Sequence, residues 1–171
     1  MSTCTIAAGN TLDCKNNKGG IKVLYVAPWA SGAYTPTIVA NVITVWAGAA
    51  TKFYKYEVRS QKAVLGETIK MNKDNGTQHF EQTGSFNVEK MTAATTAQLA
   101  TLLQNRCLVI GTDNNGKLFL HGYNNGVDFG DAVGSSGTKM EDQNGYNLSW
   151  LGVEESQALE VTASLIATIV N

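Results

Sequence analysis

The stretch Cys107–Gly126, CLVIGTDNNGKLFLHGYNNG, decides the fold class. Two short apolar runs, Cys107–Thr112 and Lys117–Tyr123, flank a DNNG turn, and an NNG follows the second run. Asn and Gly tolerate positive φ, so both are hairpin turns with a mechanism. The same punctuation recurs at Asn75-Gly76 and Asn144-Gly145. A chain written this way is a meander of short strands.

Outward from that hairpin the same pattern holds. Ile21–Val26 (IKVLYV) alternates, and Ile38–Trp46 (IVANVITVW) reads as one β-branched strand. Between them Pro28–Pro36 (PWASGAYTP) is a loop carrying Trp29 and Tyr34. Phe53–Arg59 (FYKYEVR) is the cleanest alternation: Tyr54, Tyr56 and Val58 share one face, Lys55, Glu57 and Arg59 the other. Ala63–Met71 is a strand with a bulge expected at Gly66, and Gln78–Val88 is a long strand with a kink expected at Gly84. Residues 92–105 carry the one convincing helix, with Thr92 as N-cap and Leu99, Leu102 and Leu103 as an apolar stripe. Tyr146–Gly152 and Ala158–Val170 read as closing strands. Residues 1–20 form a polar N-terminal arm, and Gly126–Gly145 a long loop. The expectation is a mainly β chain: an antiparallel β-sandwich or barrel-like core with one flanking α-helix, about eight to ten strands and a single domain over residues 1–171.

Composition narrows the function. Hydrophobic residues make up 43% of the 171, enough for a packed core. Charged residues make up only 16%, and the net charge is −1. That argues against a protein that grips nucleic acid, which needs clustered Lys and Arg. Low surface charge also suggests a surface covered by a partner. MSTCTIAAGN lacks a basic start and a long apolar run, so no signal peptide and no membrane segment are expected, and the chain is expected to fold in the cytoplasm. Cys4 and Cys14 bracket a small loop, and either close it as a disulfide or stand as thiols in a reducing cell; Cys107 reads as a buried small hydrophobe.

No constellation points to chemistry. Gly111–Lys117 nearly matches a phosphate loop, but Leu118 stands where Ser or Thr should bind magnesium, and it joins two strands. Asp113 could open an EF-hand loop, but Gly116 falls fourth and Asn124 twelfth. His79 and His121 have no partner at metal or dyad spacing. Trp46 and Trp150 sit in strand patterns and read as core, whereas Trp29 reads as an exposed contact. No enzyme activity, cofactor or metal is expected.

The order of parts is the last signal. DCKNNKGGIKVLYV opens a strongly β half. GSFNVEKMTAATTAQLATLLQNRCLVIGTDNNGKLFLHGYNNGVDF is a strand–helix–hairpin unit. GTKMEDQNGYNLSWLGVEESQALEV closes the chain through an NGY turn. Across nearly its whole length the chain resembles the tail tube (major tail) proteins of tailed bacteriophages. That resemblance implies stacked homohexameric rings in the virion tail, assembled in the host bacterial cytoplasm. Sheets of neighbouring subunits would join into one inner barrel. It implies partners in further copies of itself and in tape-measure and sheath or terminator proteins, with DNA only as passing cargo. Cys4, Cys14, Trp29, Tyr34, Asp128, Lys139 and Glu141 are then the candidates for assembly contacts, and Lys55, Glu57, Arg59, Gln78, Gln82 and Asn87 for the lumen. The rival readings are another phage structural role (head decoration or head–tail joining) and a carbohydrate-binding β-sandwich using Trp29 and Tyr34.

Overall fold

The computed structural model describes residues 8–12, 14–47 and 52–171. Among the described residues eleven strands form two sheets, accompanied by two helices. The larger sheet runs β2 (Thr37–Val39), β3 (Val42–Val45), β11 (Leu159–Val161), β8 (Leu118–His121), β7 (Cys107–Asp113), β1 (Ile21–Pro28) and β4 (Tyr54–Glu57). The smaller runs β5 (Ala63–Asn72), β6 (Thr77–Glu89), β10 (Gly145–Glu154) and β9 (Asp128–Ser135). Every pairing is antiparallel except β11 with β3. Strand accounts for 49% of the described residues and helix for 12%, so the mainly β sandwich expected from the turns is the fold observed.

The core lies in two layers, one on each face of the seven-stranded sheet. Between the sheets Leu24, Val26, Val109, Phe86, Leu148 and Trp150 pack together, and Leu99 of α1 (Ala93–Gln104) closes that layer. On the opposite face Ile43, Phe53, Leu108, Ile110 and Leu120 pack under α2 (Ala163–Ile169) and the aromatic rings of Trp29, Tyr34 and Trp46. A sheet covered on both faces has no solvent side, which is why Cys107–Gly111 is apolar without alternation. The smaller sheet is covered on one face only, and β10 alternates buried and exposed along most of its length.

The DNNG turn is built as its residues dictate. Asp113 Oδ1 accepts from the backbone N–H of Asn115 (2.9 Å) and of Lys117 (2.7 Å), and Gly116 takes φ +83°. Burial pushes the Asp113 carboxyl up, but bonds from Asn115, Lys117 and Gly116 outweigh it and hold the group below its usual value. Asp113→Ala strips two backbone donors of their acceptor. The expected cost is about 1–2 kcal/mol by denaturant unfolding, and a loss below measurement error would contradict this role. Helix α1 starts where expected: the Thr92 side chain accepts from Thr95 N at 3.2 Å.

Several expectations need correction. Ile38–Trp46 is two strands, because Ala40 and Asn41 both take positive φ (50° and 64°) and turn the chain into a hairpin. Neither Gly66 nor Gly84 interrupts its strand. The β5–β6 register is unbroken from Ala63↔Phe86 to Asn72↔Thr77, and Gly84 pairs Trp150 in an unbroken β6–β10 ladder. Gly84 is a site of close approach instead, lying directly under the Trp150 ring. Ala158–Val170 is strand only over Leu159–Val161. Leu165, Ile166 and Ile169 then fall at helical spacing and cover the second core layer as α2. The expected loop Gly126–Gly145 contains strand β9, paired with β10 from Asp128↔Leu151 to Ser135↔Gly145.

Candidate assembly surface

The four-stranded sheet ends in two strands with a free edge. Ten-residue β5 pairs only with β6, and eight-residue β9 pairs only with β10. Among the described residues no other strand pairs with either. A row of unpaired N–H and C=O groups on a long edge is a template for another chain. The β9 edge carries one bulge, opposite Leu148 to Trp150, and two acids, Asp128 and Asp131. Both are devices that restrict which strand can pair there. The β5 edge has no bulge.

Among the described residues nothing packs over the sheet's outer face. Alternation from the buried residues puts Val64, Thr68 and Lys70 of β5 on it, with His79, Glu81, Thr83, Ser85 and Asn87 of β6. Asn147, Ser149, Leu151 and Val153 of β10 and Val133 of β9 complete it. Val64, Val133, Leu151 and Val153 are each about half exposed or more (54%, 59%, 49% and 50%). Of the charges there, Lys70 lies 3.6 Å from Glu81, and Asp128, opposite Leu151, lies 3.7 Å from Arg106. The face is therefore short-chained and near neutral, with no basic cluster.

The sequence candidates divide sharply on this geometry. Gln78 and Asn87 lie on β6; Gln78 is exposed and Asn87 is half-buried, donating to Gln143 Oε1 at 2.8 Å. Gln82 is not a surface residue. It faces inward, is 2% exposed, accepts from Gly122 N at 2.8 Å and donates to Glu67 Oε1 at 3.4 Å. Two-residue alternation around the buried Phe80 and Phe86 forces that orientation. Gln78, near the hairpin tip, has the parity of the inward Phe80, so it points to the side opposite Asn87. Lys55 and Glu57 pair at 2.6 Å on β4, which edges the other sheet, so they cannot share the outer wall with Asn87. Arg59 lies beyond β4 and pairs with Glu89.

The assembly candidates fare unevenly. Cys4 lies outside the described residues, and Cys14 is exposed in the arm. The described part of that arm, residues 8–12 and 14–20, is coil, tied to the DNNG turn: Asn115 Nδ2 donates to Asn17 Oδ1 and to Lys18 O, and Asn114 Nδ2 to Gly19 O. Trp29 is half-buried. Its Nε1 donates to Tyr123 O at 3.3 Å and the Arg106 guanidinium lies 6.0 Å over its ring. The Tyr34 hydroxyl donates to Pro28 O, and its ring leans on Trp46 at 5.6 Å. Both rings are half-buried and roof the second core layer. Asp128 is exposed at the start of β9, 3.7 Å from Arg106. Lys139 and Glu141 lie 3.9 Å apart in the β9–β10 turn, where Asp142 Oδ2 accepts from Thr138 N and Lys139 N.

A buried polar cluster escaped the sequence reading. His121, Gln82 and Glu154 are each no more than 2% exposed. Glu154 accepts from the backbone N–H of Asn124 and Asn125, both at 2.9 Å, and so pins the NNG turn to β10. Burial raises its carboxyl above the usual value, against the pull of those two bonds. His121 Nδ1 accepts from Trp150 Nε1 at 3.4 Å, and burial pushes its imidazole down to about 4. The signal was slight: His121 and Glu154 each end a strand run next to a turn. The cluster braces the fold and offers no reacting pair, and among the described residues no group of three or more His, Cys, Asp or Glu is placed to hold a metal.

Cys107 is equally inert. Burial first, and then the nearby Asp128 carboxylate, push its thiol up to about 12. Alkylating reagent is expected to leave Cys107 unmodified in the folded protein and to label it only after denaturation, as read by intact-mass spectrometry. Labelling at the rate of an unstructured thiol would contradict the packing described. No helix among the described residues is long and apolar enough to cross a membrane. No protein-family model, no curated protein and no solved structure matches the chain.

Proposed function

We propose that this protein is a self-assembling structural subunit of a phage tail tube. Edge β5 of one copy pairs with edge β9 of the next, and the four-stranded sheets close into a cylinder. The observation that carries this reading is a two-sided one: among the described residues the small sheet has two long unpaired edges and an outer face with nothing packed over it. Closure satisfies the edge groups, and identical copies supply complementary edges at fixed geometry. The bare face would then line the bore. A wall of Ser, Thr, Asn and Val without a basic cluster releases few counterions from DNA and holds it weakly, as a conduit requires. Rings of six, stacked through the arm and the β9–β10 turn, and contacts with tape-measure and sheath or terminator proteins in the tail, belong to the same proposal.

The test uses charge at the seam. Val64 and Val133 are exposed on the outer face of the two edge strands, so charge there spares the protomer core. The double variant Val64→Lys, Val133→Lys is expected to stay monomeric by sedimentation where the natural protein forms rings, because like charges at each seam repel. Pairing Val64→Lys with Val133→Glu is expected to restore rings. Rings that form equally well in the double-lysine variant would contradict edge pairing.

A further inference from the structure

The chain contains four Asn-Gly dipeptides, at Asn75, Asn115, Asn125 and Asn144. We infer that Asn75 is a site of spontaneous covalent modification, losing its side-chain amide through attack by the Gly76 backbone nitrogen, while the other three are held unreactive by the fold. This inference is independent of the assembly reading.

The chemistry needs three things: a carboxamide free to rotate, an unbonded N–H on the next residue, and little steric bulk there. The Gly76 nitrogen attacks Cγ of Asn75, and an N–C bond forms. The Cγ–Nδ2 bond breaks and ammonia departs with the proton of the attacking nitrogen. Water then opens the five-membered imide at either carbonyl. The products are aspartate, or isoaspartate with the main chain routed through the side-chain carbon. No oxidant or cofactor enters.

The structure separates the four sites clearly. Asn115 Nδ2 donates to Asn17, Lys18 and Asp113, its Oδ1 accepts from Lys18 N, and Gly116 N donates to Asp113 O at 3.2 Å. Asn125 Nδ2 donates to Val153 O at 3.0 Å, and Gly126 N donates to Gly122 O at 3.1 Å. Asn144 Oδ1 accepts from Met91 N at 3.3 Å, and Gly145 is buried in the ladder between Glu89 and Ser135. At Asn75 neither group is engaged. Its carboxamide and the Gly76 N–H make no hydrogen bond among the described residues, and both residues are exposed. Nothing lies within 4 Å of where a Gly76 Cβ would stand. The turn lies beyond the last ladder pair, Asn72↔Thr77, so the backbone can reach the attacking geometry without opening the sheet. The product adds a negative charge at the tip of the β5–β6 hairpin and leaves the sandwich intact.

The experiment incubates the full chain, folded, at mildly alkaline pH. Conversion is followed at each dipeptide by peptide mass spectrometry, and isoaspartate by enzymatic methylation. Asn75 is expected to convert faster than the other three by about tenfold or more, since those must wait for local opening. In denaturant the four rates are expected to converge. Asn75→Gln is expected to remove most of the isoaspartate formed by the folded protein. Equal rates at all four sites in the folded state, or an isoaspartate yield unchanged by Asn75→Gln, would overturn the inference.

Discussion

Gly84→Ala is expected to destabilise the fold by about 3 kcal/mol or more, a large fraction of the total for a domain this size. A Cβ on Gly84 would stand 2.5 Å from Trp150 Cη2, nearer still to Cζ2, and 2.6 Å from the Val64 carbonyl oxygen. The indole has nowhere to go. It is 3% exposed and packs against Phe129, Phe86 and His121 at centroid distances of 5.8, 6.1 and 6.4 Å. The carbonyl belongs to the neighbouring strand and moves only if β5 moves. Trp150→Ala alone is expected to cost about 3–5 kcal/mol through the cavity it leaves. Because both changes act on the same few cubic ångströms, their effects should not add. In the Trp150→Ala background, Gly84→Ala should cost less than half of what it costs alone. Urea midpoints of the four proteins measure this. Strict additivity, or a Gly84→Ala protein as stable as its parent, would mean that the ring does not occupy the space described.

Acid is expected to weaken the protein through His121. Burial lowers its imidazole from 6.5 to about 4, so the unfolded chain binds the proton more readily than the folded one. Stability from the neutral ring is fully present above pH 6.5 and is lost as pH falls from 6.5 toward 4. A gap of that size is worth about 3 kcal/mol by the time both states are protonated. Glu154, with its carboxyl raised above the usual value by burial, works in the opposite direction. The net expectation is a falling limb between pH 6.5 and 4 in the unfolding free energy. His121→Gln, which keeps an acceptor for Trp150 Nε1, should flatten that limb. A limb of unchanged slope in the variant would assign it to other groups.

What could be read from the residues was whatever local chemistry decides. The Asn-Gly turns, the capped helix at Thr92 and the strand at Tyr146–Gly152 are local, and they stand where the residues place them. The errors share one origin. DFGDAVGS, with its glycines and acids, has poor strand propensity and becomes β9 only because β10 offers it a ladder. SLIATI is rich in β-branched residues and becomes helix because a sheet face needs a cover. Ala40-Asn41 turns a β-branched run into a hairpin without glycine or proline to announce it. For the candidate surface, β6 was legible as a long strand, but its parity was not. Gln82 has the polarity of a lumen residue and the register of a core one, and only its pairing with Gly152 settles which. Trp29 and Tyr34 sit in a loop with the composition of an exposed one, and tertiary packing folds both rings inward.

Electron microscopy of the purified chain across a concentration series, with subunit mass from sedimentation, addresses the cylinder itself. Annular particles of uniform bore and sixfold mass are expected, with the β5 and β9 edges of adjacent copies joined at each seam. A protein that sediments as a single protomer at the highest concentration reached, its β5 and β9 edge amides exchanging freely with solvent, would contradict it.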